Sequence, residues 1–217
     1  MPAKKEETQE TTTEIAIKSA SSVVSNVDIL NKFQKKASVL QDAANTGITY
    51  IKFTKLGEWV HGEDESEIKE DEKWVVNPMS YLYGCVGFEA GEFKGEHLVS
   101  MIEDAPMPTP EDCNAKLPIN KVKEGDGWRV QHGVRVASLT GTQGMYKASS
   151  KGGIGCLSQL IGLVGERTIN SPESCFPVIM FNNTTYKHKE FGKIFTPILK
   201  IVGWAMNDSK EIVESYE

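Results

Sequence analysis

Short segments of the chain are strand-like, and one of them alternates apolar and polar residues with a period close to two, which is typical of a β-strand with one buried face. Residues 48–54 show this alternation, and residues 128–138 and 194–204 are strand-like. Two other stretches place apolar residues at steps of three and four, which predicts amphipathic helices over residues 27–45 and after the loop at 149–153. Strands therefore dominate, and helices are few.

The order of these elements predicts the fold class. About eight strands and two principal helices occur without a long alternation of strand with helix, so a parallel α/β sheet is not expected. We predict an α+β fold built on a mainly antiparallel curved sheet or a small OB-like barrel. The short apolar segments on either side of residues 61–73 are typical of a hairpin with a long solvated tip.

Length and composition indicate the domain boundaries. With 217 residues and 39% hydrophobic residues, the chain is long enough for one domain with a real core. We expect a single α+β domain over residues 23–206, a disordered polar tail at 1–22 and a polar tail at 207–217. No apolar run reaches transmembrane length and no signal peptide is evident, so we expect a cytoplasmic protein without membrane contact.

The helix predicted after the loop at 149–153 has two stripes of residues side by side. Its apolar stripe consists of Ile154, Leu157, Ile161 and Val164. Its second stripe consists of very small residues, Gly155, Ser158, Gly162 and Gly165. Since each interior glycine costs roughly 1 kcal/mol relative to alanine, we expect the small stripe to be pressed closely against the sheet or another helix.

Prolines indicate where regular structure is interrupted. Four of them fall within residues 105–119, which predicts an irregular connection. Pro197 lies inside the strand-like segment 194–204 and cannot donate a ladder hydrogen bond, so we expect an edge strand or a bulge there.

Charge is unevenly distributed along the chain. Residues 118–200 hold 11 Lys and Arg against 5 Asp and Glu, whereas residues 1–117 hold 12 against 21. A basic segment between acidic ones indicates one positive surface in a protein whose net charge is −6. An ordinary mixture of solvated charges is the alternative.

A basic and aromatic segment lies between the last two predicted strands, at residues 182–193. Its candidate binding residues are Tyr186, Lys187, His188, Lys189, Phe191 and Lys193. Rings beside lysines suit single-stranded nucleic acid, because rings stack on bases and ammonium groups offset phosphate charge. Arg129, Arg135 and Lys147 extend this surface if their strands face the same way; the alternative is a solvated hairpin whose rings pack back on the core.

The loop at residues 149–153, S-S-K-G-G, has the ingredients of an anion site at a helix N-terminus. Free N–H groups point at the ligand, glycine allows close approach, and Lys151 adds charge beside Ser149. The Walker A order is absent. The alternative is a loop that simply enters a helix.

Signals for catalysis or for a cofactor are missing. The four cysteines form no C-x-x-C pair, and the acidic run 61–73 does not have EF-hand spacing, so we predict no metal. Neither S-x-x-K nor G-x-S-x-G is present, and a Cys–His pair drawn from Cys156 or Cys175 with His132 or His188 is not specific. We therefore predict no catalytic residue and no cofactor.

Three stretches resemble small proteins that tailed bacteriophages encode beside their replication and recombination genes. They are residues 74–80, residues 149–153, and residues 186–193 together with 197–204, within a covered region of about 48–204. The resemblance implies a virus-encoded accessory protein that acts on DNA in the bacterial cytoplasm, with an oligonucleotide-binding type of barrel. The C-terminus is less acidic than the tails of the usual single-strand binders, which puts recruitment of other replication proteins in doubt.

These observations favour a non-catalytic protein that binds single-stranded nucleic acid. The alternative is a structural or interaction protein of a virion or an inhibitor, whose partner contact is the helix at 27–45 or the acidic segment 61–73. A hydrolase or nucleotide binder that uses Lys151 is a third class. Oligomerisation is compatible with each of them.

Overall fold

The computed structural model describes residues 48–206 and the backbone of a strand at Ile212–Ser215. Two helices are described, α1 (Pro110–Lys116) and α2 (Lys151–Asn170), with a 3-10 turn at Pro172–Ser174. The strands are β1 (Thr49–Phe53), β2 (Trp59–His61), β3 (Ser66–Glu67), β4 (Lys73–Glu89), β5 (Glu92–Ser100), β6 (Gly127–Ser138), β7 (Gln143–Ala148), β8 (Phe176–His188), β9 (Gly192–Ala205) and β10 (Ile212–Ser215). The predicted tail at 1–22 and helix at 27–45 lie outside the described residues.

All ten strands form one sheet in the order β10-β9-β8-β4-β6-β7-β1-β2-β3, with β5 paired to β4. Every pair is antiparallel except β1 with β7. The predicted α+β class with a mainly antiparallel curved sheet is therefore confirmed. β2 pairs with β1 and β3 but not with β4, so the predicted hairpin around residues 61–73 is wrong. Within the predicted C-terminal tail, β10 pairs with β9.

The sheet is so strongly curled that strands far apart in this order meet. The Trp59 indole N–H donates to the Asn182 carbonyl at 2.7 Å, and the Asn183 side-chain amide donates to the Gly57 carbonyl at 2.9 Å. Gly57 has a φ of +88° and lies against the Phe195 ring, where a side chain would overlap the ring. The turn between β1 and β2 thus supports β8 and β9 and closes half a barrel.

The core lies between the sheet and α2. Trp59 contacts Phe181 and Tyr146, with ring centroids 4.6 and 5.0 Å apart, and Phe181 also contacts Trp74 at 5.6 Å. From α2, Leu157 is fully buried in this cluster. The other large buried members are Ile51, Ile68, Val76, Tyr81, Val134, Val136, Leu160, Ile179 and Leu199.

The small residues of α2 do not make the predicted close contact. Nothing within the described residues lies within 4 Å of a Cβ built on Gly155, Gly162 or Gly165, and all three are exposed. The predicted contact with the sheet is therefore wrong for the three glycines of this stripe. The close approach occurs at Gly153, where a Cβ would lie 2.6 Å from that of Ala148.

The proline-rich connection contains a helix that the sequence analysis did not predict. Thr109 caps α1: its hydroxyl accepts the Asp112 N–H at 3.1 Å, and the Asp112 carboxylate accepts from the Thr109 N–H. Pro110 stands in the first turn, where its missing N–H is harmless. Neither α1 nor α2 has the length and hydropathy that a membrane-spanning helix needs.

Candidate nucleic-acid interface

β8 and β9 project from the sheet as a two-stranded ribbon. β4 pairs with β8 only through Val178, Ile179 and Met180, so beyond that point the one described partner of β8 is β9. We call residues 182–198 the arm. The base of the arm is fixed by the contact of Asn182 with Trp59 of β2 and by the contacts of Asn183 and Phe195 with the β1–β2 turn. The distal half of the arm carries the predicted basic and aromatic residues.

The register of β8 with β9 sorts the arm residues onto two faces. Phe181 is paired with Leu199, and both side chains are buried in the core. Every second residue pair beyond them therefore points to the same side of the ribbon, which we call the inner face. Lys187 and Lys193 form the outermost pair of that face. The intervening pairs form the outer face: Asn182 with Ile198, Thr184 with Thr196 and Tyr186 with Ile194.

The two inner-face lysines stand directly opposite each other. The Lys193 ammonium lies 4.5 Å from the centroid of the Phe195 ring, two residues along the same face. Among the described residues, neither Lys187 nor Lys193 forms an ion pair. Like charges directly opposite in an antiparallel pair destabilise it. The inner face of the arm is therefore a site of uncompensated positive charge.

The turn at the tip is organised by His188. Its Nδ1 accepts the N–H groups of Glu190 at 3.2 Å and Phe191 at 3.3 Å, which requires that this nitrogen carry no proton. The Phe191 ring stacks on the imidazole with centroids 4.8 Å apart. His188 therefore stabilises the turn, and Lys189 projects from the turn into solvent.

Two aromatic rings of the arm are accessible. Tyr186 on the outer face is 54% exposed, and Phe191 at the tip is 72% exposed. Neither packs back on the core, contrary to the solvated-hairpin alternative. Phe195, which the sequence analysis did not single out, lies under Lys193; its spacing of two residues on a strand was the available signal.

The loop at residues 149–153 lies beside the base of the arm. A Cβ on Gly152 would be 3.2 Å from the Thr196 methyl group, so the start of α2 touches β9. The Ser150 hydroxyl already accepts the Gly153 N–H at 3.2 Å, which leaves fewer free donors for an anion. Ser149 and Lys151 are thus neighbours of the arm, and the Lys151 side chain is exposed.

The structure does not bring Arg129, Arg135 and Lys147 to the arm. From its pairing with β8, β4 runs away from the arm towards Val86, which pairs with Arg129. The Arg129 guanidinium lies 4.5 Å from the centroid of the Phe88 ring. The Lys147 ammonium lies 2.7 Å from a Glu96 carboxylate oxygen, so its charge is compensated.

Arg135 stands on β6 between Met145 and Asn77, also outside the arm.

The acidic segment 61–73 contains β3, and its last residue, Lys73, pairs with Met180 of β8 near the base of the arm. Ile68 anchors it in the core, while most of its carboxylates are exposed. The Lys52 ammonium lies 3.0 Å from Glu65. A hydrogen bond from Ser66 holds the pKa of the exposed Asp64 below its usual value. Some carboxylates of this segment are thus offset by Lys52 and by a hydroxyl donor.

The cysteines and histidines do not form the pairs considered from the sequence. Burial raises the pKa of the Cys156 thiol to about 11, so the thiol stays protonated at neutral pH. His132 instead bonds through Nδ1 to the Tyr81 hydroxyl at 2.6 Å, and Cys113 lies 4.0 Å from His97 Nδ1. Within the described residues, no group of three His, Cys, Asp or Glu side chains could hold a metal ion.

Comparison with known proteins adds no assignment. No protein-family model, no curated protein and no solved structure matches the chain. The interface is therefore interpreted from its own geometry.

Proposed function

We propose that this protein binds single-stranded nucleic acid through the arm, without catalysing a reaction. The observation that carries the proposal is the pair of Lys187 and Lys193, placed directly opposite each other with no ion-pair partner among the described residues. Such a pair destabilises the ribbon by itself. A phosphate group bound between the two ammonium groups would offset the repulsion through charge-assisted hydrogen bonds.

The exposed rings favour a strand with unpaired bases. Tyr186 and Phe191 are accessible for stacking, and stacking needs base faces that a duplex keeps covered. Each stacked base contributes roughly 1–3 kcal/mol, so two rings and three lysines suffice for useful affinity. The lysines and Tyr186 lie on opposite faces, so the strand has to wrap around an edge of the arm.

The kind of nucleic acid and the place of action are part of the same proposal. The resemblance to bacteriophage accessory proteins supports DNA as the ligand and the bacterial cytoplasm as the place of action, in replication or recombination. The net charge of −6 is compatible with it, because residues 186–193 of the arm hold three lysines against one carboxylate.

Fluorescence anisotropy with labelled single- and double-stranded oligonucleotides at two salt concentrations tests the proposal. We expect tighter binding of the single strand and an affinity that falls steeply with salt. The charge-reversed variant Lys187→Glu/Lys193→Glu should abolish binding. The matched control is Lys116→Glu/Lys121→Glu, which makes the same charge change at exposed positions in the α1–β6 region.

The control variant distinguishes an effect of the arm lysines from an effect of the overall net charge. Equal losses in the two variants would show that only overall charge matters. Unchanged binding by the arm variant would exclude these lysines as the interface, and a wild type that binds neither oligonucleotide would favour the interaction-protein alternative.

A further inference from the structure

A cavity of about 310 Å³ lies between α2 and the free edge of β9, at the base of the arm. β9 pairs with β10 only from Gly203 onward, so its edge at residues 197–201 has no neighbouring strand in the described chain. Pro197 fits this arrangement, because a proline inside a strand requires that its side of the ladder be unpaired. The cavity is thus lined by one helix face and one open strand edge.

The cavity adjoins the outer face of the arm at the edge of β9. The start of α2 reaches that face there, since a Cβ on Gly152 would lie 3.2 Å from the methyl group of Thr196, an outer-face residue. Ile198 and Lys200 line the cavity, and by strand alternation both side chains belong to the same face as Tyr186 and Ile194. Ile198 lies four positions after Ile194, which is about 13 Å along the strand. A strand that stacks on Tyr186 therefore reaches the cavity by following the outer face.

Its walls suit a flat apolar ring. Leu163 projects from α2 and Ile198 from β9, and they are 41% and 37% exposed although both are large aliphatic residues. Ligand cavities typically combine such apolar walls with a few polar groups that fix orientation. The accessible aliphatic surface on two facing elements is the part of the cavity that a base would cover.

Polar groups are present at the same place. Gln159 lines the cavity, and its amide, which both donates and accepts, makes no hydrogen bond within the described residues. Lys200 is exposed and forms no ion pair there. An amide next to a cation matches the hydrogen-bonding edge of a base and the phosphate attached to it.

We propose that this cavity is a nucleobase subsite, in which one unpaired base of the strand bound by the arm lies between Leu163 and Ile198. Gln159 then bonds the edge of the base and Lys200 neutralises its phosphate. The subsite rests on the proposed function, and it assigns residues that lie outside the basic part of the arm.

An extended peptide is the other ligand that an open strand edge takes. It fits less well, because Cys156 of α2 lies against the Leu199 backbone at this edge. An added strand would need that position, since neighbouring strands lie about 4.8 Å apart. A single base is smaller than an added strand and fits on one side of the contact between Cys156 and Leu199.

The test uses the full chain, one short single-stranded oligonucleotide, and the same sugar-phosphate strand without bases. For Gln159→Ala/Leu163→Ala we expect about a tenfold loss of affinity for the strand with bases, the lower part of the range for one stacked base. Affinity for the abasic strand should not change. Ile198→Ser, on the opposite wall, should behave alike, and Gln143→Ala is the matched control at an exposed glutamine of β7.

Each outcome separates the two proposals. Equal losses on both strands, or no loss on either, would overturn the subsite while leaving the arm as the interface. If Lys187→Glu/Lys193→Glu binds normally but the cavity variants lose affinity only for bases, the arm fails and the subsite stands. If the wild type binds neither strand, both proposals are wrong.

Discussion

The indole N–H of Trp59 donates to the main-chain carbonyl of Asn182 at 2.7 Å, which joins the second strand to the eighth. The two residues are 123 positions apart in the chain. With the Asn183–Gly57 contact, this bond holds the arm against the β1–β2 turn. The position of the arm therefore depends on a few polar contacts at its base.

We expect Trp59→Phe to lower the free energy of unfolding by roughly 1–3 kcal/mol, because it leaves a partly buried carbonyl without its donor. Hydrogen exchange should also become faster in the amides of residues 182–186. The matched control is Trp128→Phe, whose indole N–H donates to the Leu117 carbonyl at 2.9 Å on the exposed surface. Equal effects of both variants on the arm would contradict this role of Trp59.

The single change Lys187→Glu should stabilise the protein while weakening nucleic-acid binding. It replaces a like-charge pair with an opposite-charge pair facing Lys193, a gain of roughly 0.2–1 kcal/mol. Thermal unfolding and anisotropy measured on one preparation would detect the opposite signs. A variant that loses both stability and binding would indicate that repulsion between the lysines is not significant in the free protein.

Two glycines of α2 should respond to alanine in opposite directions. Gly162→Ala should raise stability by roughly 0.5–1 kcal/mol, because it adds helix propensity at an exposed position. Gly153→Ala should lower it, since the new methyl group would lie 2.6 Å from the Ala148 Cβ and 3.0 Å from the Tyr146 hydroxyl. Unfolding midpoints provide the comparison, and destabilisation by Gly162→Ala would mean that this helix face is covered.

His132 should make stability depend on pH. Burial lowers its pKa below the ordinary value of 6.5, and the neutral ring bonds to Tyr81. Because the unfolded chain takes up the proton more readily, the contribution of His132 is complete above pH 6.5 and is lost as the pH falls towards its folded-state pKa. Denaturation at pH 7.5 and 5.5 should show a smaller decrease for His132→Gln than for the wild type. Equal decreases would exclude His132 as a source of the pH dependence.

The pattern of apolar and polar residues predicted the strands and the basic hairpin, because the signals for both are carried by residues that are close together in the sequence. It could not assign faces in the arm, since the partner of Lys187 is set by the register with β9. Tyr186 and Lys187 are adjacent in sequence and therefore lie on opposite faces, which separates stacking from charge. The relation of Arg129 to the arm likewise depends on the direction in which β4 leaves β8.

The two errors about helices have different causes. In α2, periodicity correctly placed the glycines on one stripe, but it does not determine which stripe is buried. The side chains that fill the core decided that, and Leu160 joined Leu157 and Val164. In α1, the prolines suggested irregular structure, although Thr109, Pro110 and Asp112 form a recognisable helix start.

The parallel pairing of β1 with β7 has a consequence for the order in which the chain can fold. Thr49, Tyr50 and Ile51 pair with Gly144, Met145 and Tyr146, so the first described strand has to wait for a partner made more than ninety residues later. Contacts of such long sequence separation slow folding, because the entropy of closing the loop is lost before the contact forms. The half-barrel closes only after β8 has been synthesised, so the arm and its base assemble among the last parts of the protein.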